Sequence, residues 1–92
     1  MTDLVTLKEI NETTGTGWIE FWLAPDDGED ECFELNECAW VLGGVIEHVG
    51  YAKVDIVNLD FLKRKYGKKY GVRIWRGDRP TDEQRKAAKW DG

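Results

Sequence analysis

Read for alternation, the chain contains several stretches whose apolar residues recur every second position, the period of a half-buried strand. Trp18 to Leu23 is the clearest: Ile19, Phe21 and Leu23 point one way, and Trp18, Glu20 and Trp22 the other. Ala52 to Val57 and Tyr70 to Trp75 repeat the pattern, the latter with Val72 and Ile74 opposite Arg73 and Trp75. Leu4 to Ile10 alternates less regularly and reads as a first strand. It is joined to the second by the Gly-, Asn- and Thr-rich run 11–17, as in a hairpin. Cys32 to Leu35 reads as a short strand after a polar loop opened by Pro25.

Two segments carry a helical period instead. Beyond Asn36, a good N-cap, residues Cys38, Leu42, Val45 and Val49 fall on one stripe, and Gly50 suits the helix end. Asn58 caps a shorter helix through Leu59, Leu62 and Tyr66, closed at Gly67. A third helix starts after Pro80, where Thr81 and Gln84 have capping-box spacing; its packing rests on Trp90. The resulting order, ββ(β)αβαβα, predicts an α+β fold: one small domain over residues 1–92, with a sheet of four to five strands, antiparallel or mixed, and two or three helices. The expected core is Ile19, Phe21, Leu42, Val45, Ile46, Val54, Ile56 and Ile74.

Charge changes the picture. Residues 1–47 hold twelve acidic groups against one basic group, Lys8, a net of −11; residues 48–92 hold twelve basic against six acidic, a net of +6. The total of −5 conceals a dipolar chain, and such a field governs partners and association rate rather than fold. The N-terminus lacks a basic region followed by an apolar run, and no apolar run approaches a bilayer span. A soluble, intracellular (cytoplasmic) protein is expected. Cys32, Cys38 and His48 fall short of a four-ligand zinc site, and the cysteines read as small, reduced, apolar residues.

Candidate chemistry is sparse. The chain has no serine and no glycine-rich phosphate loop, and Cys38 on an apolar stripe is a poor nucleophile. No catalytic, cofactor or metal residues are assigned, and the expectation is a non-enzyme. The acidic stretch has seven carboxylates in the twelve residues 26–37 and does not match an EF-hand. It reads either as a solvated loop or as a row imitating a nucleic-acid backbone. The partner-binding set on the second reading is Glu20, Asp26, Asp27, Glu29, Asp30, Glu31, Glu34, Glu37 and Glu47, with Trp40 as an exposed apolar anchor between glycines.

The basic stretch interleaves cations with aromatics: Lys63, Arg64, Lys65, Tyr66, Lys68, Lys69, Tyr70, Arg73, Trp75 and Arg76. It supports an alternative reading as a nucleic-acid-binding module through backbone neutralisation and base stacking. It could equally neutralise the acidic half, within the fold or across a homodimer. In size and charge the chain resembles the small acidic proteins with which phages and mobile elements block host nucleic-acid machinery, a likeness that no motif carries. The expected function is therefore inhibition or modulation of a protein that has a basic nucleic-acid-binding groove. A small enzyme ranks behind both binding readings.

Overall fold

A computed structural model describes residues 2–23, 32–50, 53–59, 64 and 70–88. The architecture is α+β, built on one antiparallel sheet in the order β1-β6-β2-β3-β4-β5. Its strands are β1 (Asp3–Leu4), β2 (Gly15–Leu23), β3 (Cys32–Val41), β4 (Val45–Gly50), β5 (Lys53–Asn58) and β6 (Tyr70–Arg76). Helix α1 (Leu7–Glu12) lies between β1 and β2, and α2 (Asp82–Ala87) follows β6. Leu59 and Arg64 are also helical, while the rest of the expected helix 59–66 lies outside the described residues, as do the loop 24–31 and Trp90.

The strands expected at 18–23 and 70–75 are present as β2 and β6, β5 covers the described part of the strand expected at 52–57, and the capping box at Thr81 forms as expected. Thr81 Oγ1 accepts from the Gln84 N–H at 3.1 Å and the Gln84 side chain accepts from the Thr81 N–H at 2.9 Å.

Two elements differ from expectation. The segment 36–49 is a β-hairpin, not a helix. Residues Val41 and Val45 pair across a three-residue turn in which Gly43 and Gly44 adopt φ of 89° and 78°. Those values are open to glycine and hostile to a right-handed helix, where each glycine also costs about 1 kcal/mol. Val41, Val45, Ile46 and Val49 are β-branched and fit the pleated surface better than a helical turn. Residues 32–40 then pair along the whole length of β2. The second difference is at 4–10, where only Asp3 and Leu4 are strand. Thr6 starts α1 instead, its side chain accepting from the Glu9 N–H at 3.2 Å. The Thr6–Glu9 spacing is a helix-start signal, and it outweighs the imperfect alternation there.

One sheet face carries the main core. Ile19, Cys38, Trp40, Ile46 and Ile74 come from four adjacent strands, Ile10 from α1 packs on them, and Leu59 closes the cluster. Phe21, Val72 and Val5 pack against it. Ile19, Ile46 and Ile74 are thus core as expected. Leu42 and Ile56 are not: Leu42 sits in the hairpin turn and Ile56 is 70% exposed. The register sets this, because Ile56 pairs with Glu47 whereas Val57 pairs with Ile46. A slip of one residue in assigning a strand face moves every side chain to the other side.

Candidate protein-binding face

The opposite sheet face is organised in transverse rows of cross-strand neighbours. One row runs Arg73, Glu20, Leu35 across β6, β2 and β3; the next runs Trp75, Trp18, Glu37, Val49 and reaches β4. A third runs Thr16, Ala39, Glu47, Ile56 and reaches β5. Loop 77–81 and helix α2 approach the β6–β2 end of these rows. At the β3–β4–β5 end, by contrast, Glu37, Glu47, Val49 and Ile56 are exposed.

At the covered end lies an ionic knot centred on Glu20, which is 1% exposed. Glu20 Oε1 accepts from Arg73 Nε at 2.9 Å, Arg73 Nη2 at 2.7 Å and Trp75 Nε1 at 3.0 Å. Its Oε2 accepts from Arg85 Nε of α2 at 2.7 Å, and Arg73 Nη1 donates to the Ala88 carbonyl at 2.7 Å. Burial alone would raise the Glu20 carboxyl. The hydrogen bonds from Arg85, Trp75 and Arg73, with the charge of Arg73, outweigh it and hold the pKa below its ordinary value. The knot ties α2 to the sheet, since α2 buries no residue of its own.

This geometry corrects four assignments. Glu20 cannot meet a partner, because both its oxygens are committed inside the fold. Trp40 is no exposed anchor: it is 2% exposed, in the core of the other face. Its ring packs against Gly15, where an added Cβ would come within 2.1 Å of it. The helix expected at 36–49 would have turned Trp40 away from the apolar stripe, but strand alternation places it with Cys38 and Ile46. Arg73 and Trp75 are likewise buried and so are lost to a nucleic-acid surface. Arg76 pairs with Glu9 of α1.

Of the remaining candidates, Glu34, Glu37 and Glu47 are exposed as expected, with Glu34 on the opposite face from the other two. Arg64 is exposed and helical, and Tyr70 begins β6. Asp26, Asp27, Glu29, Asp30, Glu31, Lys63, Lys65, Tyr66, Lys68 and Lys69 lie outside the described residues.

Cys38 and His48 are direct cross-strand partners on the core face. Cys38 is a free thiol, and burial pushes its pKa up to about 12, the reverse of an activated nucleophile. The His48 ring meets Phe21 edge to face at 5.9 Å. Among the described residues, Asn36 Nδ2, Trp40 Nε1 and His48 Nε2 are buried without a hydrogen-bond partner. No group of three or more His, Cys, Asp or Glu among the described residues is placed to hold a metal, and no described helix is long and apolar enough to cross a membrane.

One cleft of the described surface, of about 330 Å³, is lined by Thr16, Trp18, Glu37, Ala39 and Val49. Another, of about 470 Å³, lies near Thr13, Thr14 and Arg76. Along the chain Trp18 falls on the face of Glu20 and Trp22, but its pairing with Glu37 depends on the register of β2 with β3, which no local signal carries. In comparison with known proteins, the chain matches no family model, no curated protein and no solved structure at a significant level.

Proposed function

We propose that this chain is a non-enzymatic, intracellular binding protein that modulates a partner bearing a basic nucleic-acid-binding groove. The reading rests on the open end of the acidic face. There, Glu37 and Glu47 stand among exposed Val49 and Ile56, on strands β3 and β4 that contain no lysine or arginine. The acidic run 26–31 leads directly into β3 in sequence. Carboxylates on a rigid sheet are held at fixed spacing and steer a cationic partner at long range, while the aliphatic side chains between them supply area to bury on contact. The contact surface is therefore this face, in place of Glu20 and Trp40.

A competition assay tests the proposal. Labelled duplex DNA is bound to each of several non-specific DNA-binding proteins with basic grooves, and the purified chain is titrated in at about 50 and 200 mM salt. Displacement that weakens with salt, and is lost in Glu37→Lys/Glu47→Lys, is the expected result. Retardation of free DNA or RNA by the chain itself would favour the nucleic-acid-binding alternative through the basic stretch. Displacement untouched by the charge reversal would overturn the face.

A further inference from the structure

The cleft on the acidic face has the composition of a socket for a cationic side chain. Its lining includes Trp18, Glu37 and Val49 from one row and Thr16 and Ala39 from the next. Trp18 and Glu37 are direct cross-strand partners, and Glu37 in turn pairs with Val49, so one transverse row supplies ring, carboxylate and aliphatic side chain. A long cationic side chain has the complementary make-up: an apolar stem that packs along hydrophobic walls and a charged head that seeks a carboxylate.

The same face already pairs guanidinium groups with indoles. Arg73 lies over the Trp75 ring at 5.6 Å, and Arg79, from the loop before α2, lies over Trp18 at 6.0 Å. Arg79 does not itself line the cleft. Glu37 has no ion-pair partner among the described residues, and a planar guanidinium can stack on an indole while binding a carboxylate edge-on, which an ammonium does less well.

We infer that the Trp18–Glu37–Val49 cleft receives an arginine side chain of the basic partner. This rests on the proposed function and deepens it. The socket supplies the localised anchor that Trp40, buried in the core, does not, and it sits on the same rows as Glu47 and Ile56. An arginine entering from a basic groove would bury its stem against Val49 and Ala39 and neutralise Glu37.

The test uses the full chain, labelled with ¹⁵N, titrated with N-acetyl-arginine amide and separately with the isosteric, uncharged N-acetyl-citrulline amide. Saturable shifts of the Trp18 indole N–H and of the Glu37 and Val49 amides are expected with arginine and not with citrulline. Glu37→Gln, an exposed change that leaves the remaining spectrum in place, should weaken binding about five-fold. Trp18→Leu should abolish the saturable component, and Trp18→Phe should retain part of it. Equal shifts with citrulline, or an unaltered affinity in Glu37→Gln, would overturn the socket. So would shifts spread over Glu34 and Glu47 without saturation at Trp18. Equal binding of N-acetyl-lysine amide would overturn the choice of guanidinium. The outcome is separable from that of the competition assay. Arginine binding without displacement of DNA sinks the proposed function and leaves the socket, whereas displacement that survives Glu37→Gln does the reverse.

Discussion

Replacing Glu20 by glutamine keeps the shape of the side chain and removes its charge, which isolates the electrostatics of the knot beneath α2. In the native protein one carboxylate accepts four hydrogen bonds, three of them from Arg73 and Arg85. The side chains of Glu20 and Arg73 are 1% and 3% exposed, so solvent does not screen this pair. Removing one partner of such a pair leaves an uncompensated buried cation and costs about 3–5 kcal/mol. A glutamine amide also points N–H groups at one of the guanidiniums. For a domain of this length each kcal/mol lowers Tm by about 4–8 °C, so Glu20→Gln should lower it by more than about 12 °C. Arg85 is 21% exposed and makes one of the four bonds, and Arg85→Met should cost about 1–2 kcal/mol. Urea and thermal unfolding followed by tryptophan fluorescence and circular dichroism measure both. Glu20→Met/Arg73→Met should be less damaging than the sum of the single changes, because removing both charges leaves fewer of them unpaired. A Tm within about 4 °C of the parent for Glu20→Gln would refute the argument.

Further outcomes follow from the same geometry. Because folding lowers the Glu20 pKa, its contribution is fully present above the unfolded carboxyl value of about 4.3 and is lost as pH falls through the folded value. Urea midpoints measured from pH 7 down to 3 should fall in that acidic range, and Glu20→Gln should lose less on acidification than the parent. Cys38, with its thiol pushed up to about 12 and buried, should resist a disulfide reagent at pH 8 in the native state and react once urea unfolds the chain. A Cys32→Ala background isolates the signal, and native-state reaction at the rate of a free thiol would contradict the burial. Trp40→Ala should cost about 3–5 kcal/mol in chemical denaturation, with Gly15→Ala also destabilising because its methyl would meet the Trp40 ring; an unchanged midpoint for either would remove Trp40 from the core. Glu37→Lys/Glu47→Lys should shift Tm by no more than a few degrees, since both positions are exposed.

The strands β2, β5 and β6 and the capping box of α2 were legible because each is written in local terms. Alternation over six residues, or a threonine three positions before a glutamine, specifies a conformation without knowledge of the rest of the chain. The hairpin at 32–50 was ambiguous by pattern. Cys38, Leu42, Val45 and Val49 satisfy a helical stripe, while Cys38 and Trp40, with Ile46 and His48 beyond the turn, satisfy two strands. Gly43–Gly44 was the local evidence for a hairpin, and β2 supplied the long-range partner. That single element decided the fate of Trp40, and with it the candidate site.

Charge segregation, the α+β class and the shortage of catalytic motifs belong to the sequence by itself, because composition and short-range periodicity survive any rearrangement of the chain. Tertiary structure alone decided which charges are free. Glu20 and Glu37 are both carboxylates of the acidic half, and neither carries a local sign of what it will pair with. Glu20 pairs across β6 with Arg73 and lies beneath α2, so folding closes it inside a knot of hydrogen bonds. Glu37 pairs with Trp18 and Val49 where no helix covers the described sheet, so its charge faces outward. The partner of a strand residue is set by register between segments far apart in sequence, and burial follows from that register.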